Sequence, residues 1–169
     1  MSIQNVLKMG NPLLHQKAEL VSDIEKIETI ISNMIDTMRH HHGAGIAAPQ
    51  ISISKRIIVY GFDFNPRYPQ AKPIPLTIVI NPVYEILNDS IMMVWEGCLS
   101  VPKLRAEIKR AKKIKCEGLK PDGTPFSKIV ENFEAGIIQH ECDHLDGILF
   151  PERIHNFKRF GFEDEISIY

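Results

Sequence analysis

The sequence predicts an α+β fold in which short antiparallel β-sheets pack around a C-terminal helix that carries an HExxH-type motif. Three observations lead to this prediction: an amphipathic helical pattern near the N-terminus, many short strand-like runs after it, and a second helical segment around residue 140. The chain of 169 residues is long enough to bury a core without disulfide bonds, so one domain spanning residues 1–169 is expected.

The N-terminal helix is predicted from its boundaries and its periodicity. Ser22 and Glu25 have the spacing of a capping box, which indicates where the helix begins. Gly43 is expected to end it as a C-terminal cap. Apolar residues at helical spacing form the expected core face of this helix, namely Ile24, Ile27, Ile30, Ile31, Met34, Ile35 and Met38.

The middle of the chain consists of short runs typical of β-strands, separated by turn signals. Prolines exclude segment 61–75 from a regular helix or a central strand, so a loop is predicted there. Residues 121–124 predict a tight turn between two strands. Asn132 is expected to cap the second helix and Gly147 to end it. The predicted strands are 56–60, 76–80, 83–87, 91–95, 104–109, 113–119 and 126–130.

Composition and charge narrow the classes of protein that fit. A net charge of -1 gives no electrostatic reason to expect nucleic acid or an anionic membrane as a partner. The first residues lack the pattern of a secretory signal, and no run reaches the length of a transmembrane helix. Cys98, Cys116 and Cys142 have no disulfide-framework spacing, which indicates reduced thiols. A cytoplasmic location is therefore expected, in a bacterium or an organelle.

The segment from His140 to His144 is the strongest chemical signal in the chain. Two histidines four residues apart on a helix project from the same face, so they can bind one metal ion together. Glu141 lies beside that position, where a carboxylate can exchange a proton with water. The pattern predicts metal-assisted hydrolysis.

A third ligand is required, because a catalytic site of this kind takes three protein ligands and leaves one position open. The histidine that one protease class places six residues after the second ligand is Phe150 here, which excludes that class. Glu163 and Glu165 are downstream candidates, but they lie in a short polar tail with little to hold them. Cys98 is the upstream candidate, since a thiolate binds zinc or ferrous iron, although a buried apolar cysteine is the alternative interpretation.

Three segments together resemble the peptide deformylases: Gly43–Gln50, Glu96–Ser100 and Gln139–His144. The resemblance extends from the N-terminal helix to about Phe150. It implies removal of the formyl group from N-formylmethionine at the start of nascent polypeptides. It also implies one divalent metal ion per chain, held by Cys98, His140 and His144, with ferrous iron native in many members and zinc, nickel or cobalt able to replace it.

The same resemblance implies a set of catalytic roles. Metal-bound water would be the nucleophile, and Glu141 would accept its proton and return it to the departing amine. The side-chain amide of Gln50 and the backbone N–H of Leu99 would stabilise the oxyanion.

Substrate contacts are implied as well. The substrate peptide would pair strand to strand with Ala44, Gly45 and Ile46, and Gly97 would allow a close backbone approach. Arg105 is expected to contact the substrate backbone, Arg110 to pair with Glu96, and Asp143 to support a ligand histidine or the helix. The expected pocket for the methionine side chain is lined by Val94, Phe133, Gly136, Ile137 and His140.

Departures from the family pattern affect pocket shape and partners rather than chemistry. Ala44 is smaller than the aliphatic residue usual in the family, and Lys103 and Lys109 replace a common glycine and proline. The tail after Glu152 is short, whereas some relatives end in a longer helix, so ribosome docking by such a helix is not expected here. Nascent N-formylmethionyl peptides are the expected partners, with transient proximity to the ribosome and a monomeric state.

Two other functions remain open at the level of sequence. One is a zinc endopeptidase that uses His140, His144 and a downstream glutamate, and the other is a binding protein without turnover. Replacing Cys98 by alanine separates the first from a deformylase, since only the endopeptidase would keep its metal.

Overall fold

The computed structural model describes residues 2–166 of the chain, in which two helices and eight strands are assigned. The helices are α1 (Glu28–His40) and α2 (Asn132–Leu145). The strands are β1 (Gly45–Ala47), β2 (Ile57–Phe62), β3 (Ile74–Ile86), β4 (Ile91–Cys98), β5 (Val101–Ala111), β6 (Lys113–Leu119), β7 (Pro125–Glu131) and β8 (Phe160–Phe162).

The strands form two antiparallel sheets. Five strands pair in the order β1-β2-β3-β6-β7, and three pair in the order β4-β5-β8. Helix α2 contacts strands of both sheets, and its residues from Ala135 to Leu145 are almost all buried. A helix covered on most of its sides needs apolar or internally paired residues all around, rather than one apolar stripe. The α+β class and the antiparallel sheets around a C-terminal helix are confirmed.

Helix α1 begins later than the capping box predicts. The Asp23 side chain accepts a hydrogen bond from the Glu25 backbone N–H and caps a short 3-10 helix, Ile24–Lys26. The α-helix starts only after Ile27, so the predicted role of Ser22 as its cap is wrong. The short aspartate side chain reaches the N–H two residues ahead and favours this local turn. Helix α1 then buries Ile31, Met34, Thr37 and Met38.

Two of the three other predicted helix ends also differ from the structure. His42, not Gly43, takes the left-handed conformation after α1 (φ 53), while Gly43 N–H bonds to the Met38 carbonyl at 2.8 Å. Helix α2 begins directly after Glu131, and Asn132 is its first residue, at φ 57. Gly147 follows α2 at φ 75, as expected for a terminating glycine.

The predicted strands correspond to β2 to β7, with one exception in β3, whereas β1 and β8 were not predicted. The runs at 76–80 and 83–87 belong to one strand, β3, whose register shifts between Ile80 and Val83. Asn81 lies at that irregularity with φ 53, and its side chain bonds both backbone groups of Val21. The pair Asn81-Pro82 therefore marks a bulge instead of a turn.

The segment after Glu152 is anchored, contrary to prediction. Strand β8 pairs with β5, where Arg105 lies opposite Gly161. The N–H of Glu163 also bonds to the Lys103 carbonyl at 2.8 Å. Among residues 2–166, no helix combines the length and the apolar character that crossing a membrane requires.

Candidate metal centre and active site

Cys98, His140 and His144 meet where α2 passes the end of β4. Their potential ligand atoms lie within 4.8 Å of one another, and Cys98 Sγ is 3.1 Å from His144 Nε2. Helical spacing places the two imidazoles on one face, and strand β4 delivers the sulfur. A sulfur and two nitrogens converging on one point fit a divalent zinc or iron ion with a fourth position left open.

The charges around this group favour the ligand forms of its side chains. Burial raises the pKa of the Cys98 thiol, but the opposing effects of His144 and His140 are larger and leave the pKa well below its ordinary value. Burial lowers the pKa of His140, but Glu96 and Cys98 together raise it by more, so the net shift is upward. The sulfur is therefore poised as a thiolate, the form that binds metal.

Glu96 orients one of the two histidines. His140 Nδ1 donates a hydrogen bond to Glu96 Oε2 at 2.8 Å, which leaves Nε2 of that ring for a ligand. Burial raises the pKa of Glu96, but His140 and Arg110 more than compensate and hold it at about 2. Glu96 is therefore a buried carboxylate that stays charged.

Arg110 links this carboxylate to helix α2. It makes two hydrogen bonds to Glu96, at 2.6 and 3.0 Å, and one to Asp143 at 2.7 Å. Asp143 also accepts two bonds from Arg153. The predicted pair of Arg110 with Glu96 is thus present. Asp143 supports the helix through these arginines, while the contact to a ligand histidine comes from Glu96.

Glu141 lies beside the three metal-ligand candidates and is buried. Burial raises its pKa to about 7, while the nearby histidine charges act in the opposite direction. Its Oε2 has no hydrogen-bond partner among the described residues. A buried carboxylate oxygen without a partner is costly in a folded protein, so it indicates a position where a polar ligand or water belongs.

Gly45 packs directly against this carboxylate. A Cβ atom at Gly45 would lie 2.5 Å from Glu141 Oε1, closer than any real contact, so only glycine fits here. Gly45 belongs to β1, one of the two edge strands of the five-stranded sheet. An extended peptide can add to such an edge.

Gln50 is held on the sulfur side of the site, in a short 3-10 helix, Ala48–Ile51. Its Nε2 donates to Ser100 Oγ at 3.1 Å and lies 3.4 Å from Cys98 Sγ. Its Oε1 accepts the backbone N–H of Ala47 at 2.9 Å. These contacts fix the amide with its NH2 group directed toward the metal-ligand cluster.

A segment that sequence reasoning missed holds both predicted oxyanion donors. The N–H of Leu7 bonds to the Gln50 carbonyl and that of Met9 bonds to the Ser100 carbonyl, both at 2.8 Å. Lys8 Nζ donates to the Leu99 carbonyl at 2.8 Å. No motif or periodicity at residues 7–9 indicates these contacts, because they depend on chain segments more than 40 residues away.

A cavity opens onto this cluster, and most of the predicted substrate residues line it. Two predicted substrate residues do not line it. The side chain of Ile46, in β1, is fully buried in the core, and Arg105 lies behind Gly97. Three lining residues were not predicted: Arg67, Tyr68 and Trp95. The residues of its wall that the sequence analysis named are Ala44, Gly45, Gln50, Val94, Glu96, Gly97, Cys98, Leu99, Phe133, Gly136, Ile137, His140 and Glu141.

The downstream glutamate required by the endopeptidase alternative is engaged elsewhere. Glu163 Oε2 lies 3.4 Å from Arg105 Nε, next to β8. Within residues 2–166, the metal-ligand group near α2 consists of Cys98, His140 and His144 alone.

Comparison with known proteins agrees with this geometry. A family model described as polypeptide deformylase matches residues 3–160. Peptide deformylase 2 of Pseudomonas syringae pv. tomato is 45% identical over 167 residues, covering 96% of this chain and 93% of that protein. A crystal structure of the class I type b peptide deformylase from Acinetobacter baumannii matches with a TM-score of 0.87 and 38% identity, covering 91% of this chain and 99% of that one.

A second crystal structure of the Acinetobacter baumannii protein is described as bound to Met-Ala-Ser. It matches with a TM-score of 0.82 and 40% identity, covering 90% of this chain and 99% of that one. The family model and the relatives each span nearly the whole described chain, and the relatives share its fold. The chain therefore belongs to the peptide deformylase family and is an enzyme of that family.

Proposed function

We propose that this enzyme removes the formyl group from the N-terminal N-formylmethionine of nascent polypeptides and releases formate. The observation that carries this proposal is the buried Glu141 carboxylate, which has an oxygen without a partner beside the Cys98, His140 and His144 cluster. A base, three ligands and an adjoining cavity are the parts that hydrolysis of an amide requires.

Cys98, His140 and His144 would hold one divalent cation, with ferrous iron as the proposed native metal and zinc, nickel or cobalt as substitutes. When bound, such an ion supplies Lewis acidity and lowers the pKa of water at the open position. Glu96 fixes the His140 ring, so that its free nitrogen faces the other two ligands.

Glu141 is the proposed general base and acid. It accepts a proton from the attacking water and later gives it to the leaving amine nitrogen. A carboxyl whose pKa lies at about 7 is suited to both steps near neutral pH. The amide of Gln50 and the backbone N–H of Leu99 are the proposed donors to the oxyanion of the tetrahedral intermediate.

The substrate peptide would lie along β1 as an added strand. Main-chain pairing with Ala44, Gly45 and Ile46 recognises any sequence, while the cavity near Gly136 and Phe133 holds the methionine side chain. Gly97 lines the opposite wall, and its missing Cβ leaves room for the Arg105 side chain behind it. We further propose that the enzyme acts as a monomer in the cytoplasm, in transient proximity to the ribosome.

Release of formate from formyl-Met-Ala-Ser tests this function, with protein loaded anaerobically with ferrous iron or with nickel. The matched substrate is acetyl-Met-Ala-Ser, which differs by one methyl group. We expect turnover of the formyl peptide alone. Absence of formate from protein with a full complement of metal would overturn the proposal.

A pair of variants tests the role of Glu141. Glu141→Gln should lower kcat by about 10²- to 10⁴-fold, because it removes the proposed proton acceptor. The metal content should stay unchanged. Glu134→Gln is the control, since Glu134 is in the first turn of the same helix and pairs with Lys128. Near-normal turnover by Glu141→Gln would exclude this residue as the base.

A further inference from the structure

A loop between β2 and β3, residues 63–73, folds back against the active site. Asn65 is buried and donates from Nδ2 to the His42 carbonyl at 3.0 Å, just before β1. Its side-chain and backbone oxygens accept the N–H groups of Arg67 and Tyr68, at 2.9 and 3.0 Å. Asn65 therefore fixes the two loop residues that reach the cavity.

Tyr68 forms the wall that this loop contributes. Its ring centroid lies 4.9 Å from that of Phe133, and the Arg105 guanidinium carbon lies 4.9 Å from the same ring. Contacts of this kind with an aromatic face and a cation hold the tyrosine in place. The ring lines both the cavity at Glu141 and a second cavity.

The second cavity has a volume of about 330 Å³ and adjoins the first. Both are lined by Arg67, Tyr68, Val94, Trp95 and Phe133, so the two spaces are neighbours along one groove.

The second cavity is cationic. Its wall contains two arginines and no carboxylate. Arg105 is paired with Glu163. Within the chain from residue 2 to residue 166, Arg67 has no carboxylate within 4.0 Å, so its charge is available to a ligand.

The geometry of an added strand relates the two cavities to the substrate. Side chains alternate between the faces of an extended peptide, so its first and third residues point the same way, about 6.7 Å apart. With methionine in the first cavity, the side chain of the third residue is directed along the groove toward the second. This step rests on the proposed function, which sets the methionine position.

We propose that Arg67 determines specificity by attracting an acidic side chain at the third residue of the formylated substrate. The matching chemistry is a glutamate or aspartate carboxylate, which a guanidinium binds with two parallel hydrogen bonds. Tyr68 gives this subsite its apolar wall, and the loop that carries both residues positions it.

The test compares three peptide amides: formyl-Met-Ala-Glu, formyl-Met-Ala-Gln and formyl-Met-Ala-Lys. Terminal amides remove the α-carboxylate, which would otherwise compete for the arginine. We expect kcat/KM to be highest for glutamate and about fivefold above that for lysine, the size of a partly exposed ion pair. Arg67→Met should bring this ratio close to one.

Lys72→Met is the matched control, because Lys72 is an exposed cation in the same loop that lines neither cavity. It should leave the ratio unchanged. Equal kcat/KM values for the three peptides, a ratio that persists in Arg67→Met, or an equal fall in Lys72→Met would each overturn the proposal.

A binding measurement separates this proposal from the proposed function. Calorimetry on the nickel-loaded protein gives the affinities of the unformylated Met-Ala-Glu and Met-Ala-Lys amides. Failure of the function would appear as no formate from any peptide, while the ratio of affinities and its loss in Arg67→Met would still decide whether the subsite exists.

Discussion

Gly45 and Glu141 show how closely the backbone approaches the proposed base. The carboxylate occupies the space that any side chain at position 45 would take, and its Oε2 remains without a partner among the described residues. The edge strand β1 and the proposed base therefore share one small volume, in which a peptide on β1 would place its first bond beside the carboxylate.

Gly45→Ala is expected to lower kcat by about 100-fold, because the added methyl group must displace the Glu141 carboxylate and misplacement by 1 Å costs about that much. Metal content should be unchanged. Formate release and metal analysis measure the two effects. Gly161→Ala is the control, since its Cβ would meet only the flexible end of Ile166, at 3.3 Å. Full activity in Gly45→Ala would contradict the close packing.

The three cysteines occupy different electrostatic environments. Cys98 stands next to two imidazoles that lower the pKa of its thiol despite burial. Burial raises the pKa of Cys116 to about 12 and also raises that of Cys142. Only the first of these sulfurs is poised to react as a thiolate.

Removal of the metal by a chelator should therefore make Cys98 the site of alkylation. Iodoacetamide added to the metal-free native protein is expected to modify Cys98 and to spare Cys116 and Cys142, as determined by peptide mass spectrometry. Activity should not return when metal is added back. Alkylation of Cys116 or Cys142 before Cys98 would contradict this assignment.

At the scale of elements, a buried network of charges joins β4, β5 and α2. Arg110 on β5 bonds to Glu96 on β4 and to Asp143 on α2, and all three are almost inaccessible to solvent. Each charge has an opposite partner and hydrogen bonds, which compensate for its desolvation. The network fixes the helix with the histidines against the strand that supplies the thiolate.

Arg110→Met should remove one cationic partner from each of two buried carboxylates, Glu96 and Asp143, and lower the free energy of unfolding by about 3–5 kcal/mol. Because Glu96 would lose its support, metal affinity should also fall by about 10- to 100-fold. Urea unfolding and metal titration provide the measurements. Arg159→Met, which breaks a half-exposed pair with Glu107, should cost about 1 kcal/mol or less. Similar losses in both variants would argue against a special role for the buried network.

At the scale of the molecule, the site lies where the two sheets meet on α2. The five-stranded sheet provides the edge strand with Gly45, and the three-stranded sheet provides Cys98 and Glu96. Displacement of one sheet relative to the other would separate Cys98 from β1, the proposed peptide-binding edge. Catalytic geometry is therefore coupled to the packing of the whole chain.

Acid should destabilise the protein through Glu96. Its pKa falls from 4.5 to about 2 on folding, so its ionisation contributes stability above pH 4.5 that is lost as the pH falls toward 2. The difference in free energy of unfolding between the metal-free native protein and Glu96→Gln should shrink between pH 5 and pH 3 in urea experiments. An exposed carboxylate offers the control: Glu117→Gln should show little such change. A difference independent of pH would contradict the charged state of Glu96.

The sequence by itself determined the class of fold and predicted the kind of chemistry. Helical spacing was enough to place His140 and His144 together, and alternating apolar runs were enough to predict most strands, because both are local properties of the chain. Spacing alone left the third metal ligand undecided, and the family resemblance implied Cys98.

Tertiary structure decided what depends on contacts between distant segments. His140 bonds to Glu96, and the segment after Glu152 is anchored on β5. Tyr68 lines the cavity, although the sequence marked its loop only by prolines. The contacts of His140 with Glu96 and of Gly161 with Arg105 join residues that lie more than 40 positions apart. Local propensity determines the elements, whereas the packing of two sheets on one helix determines which of their side chains meet.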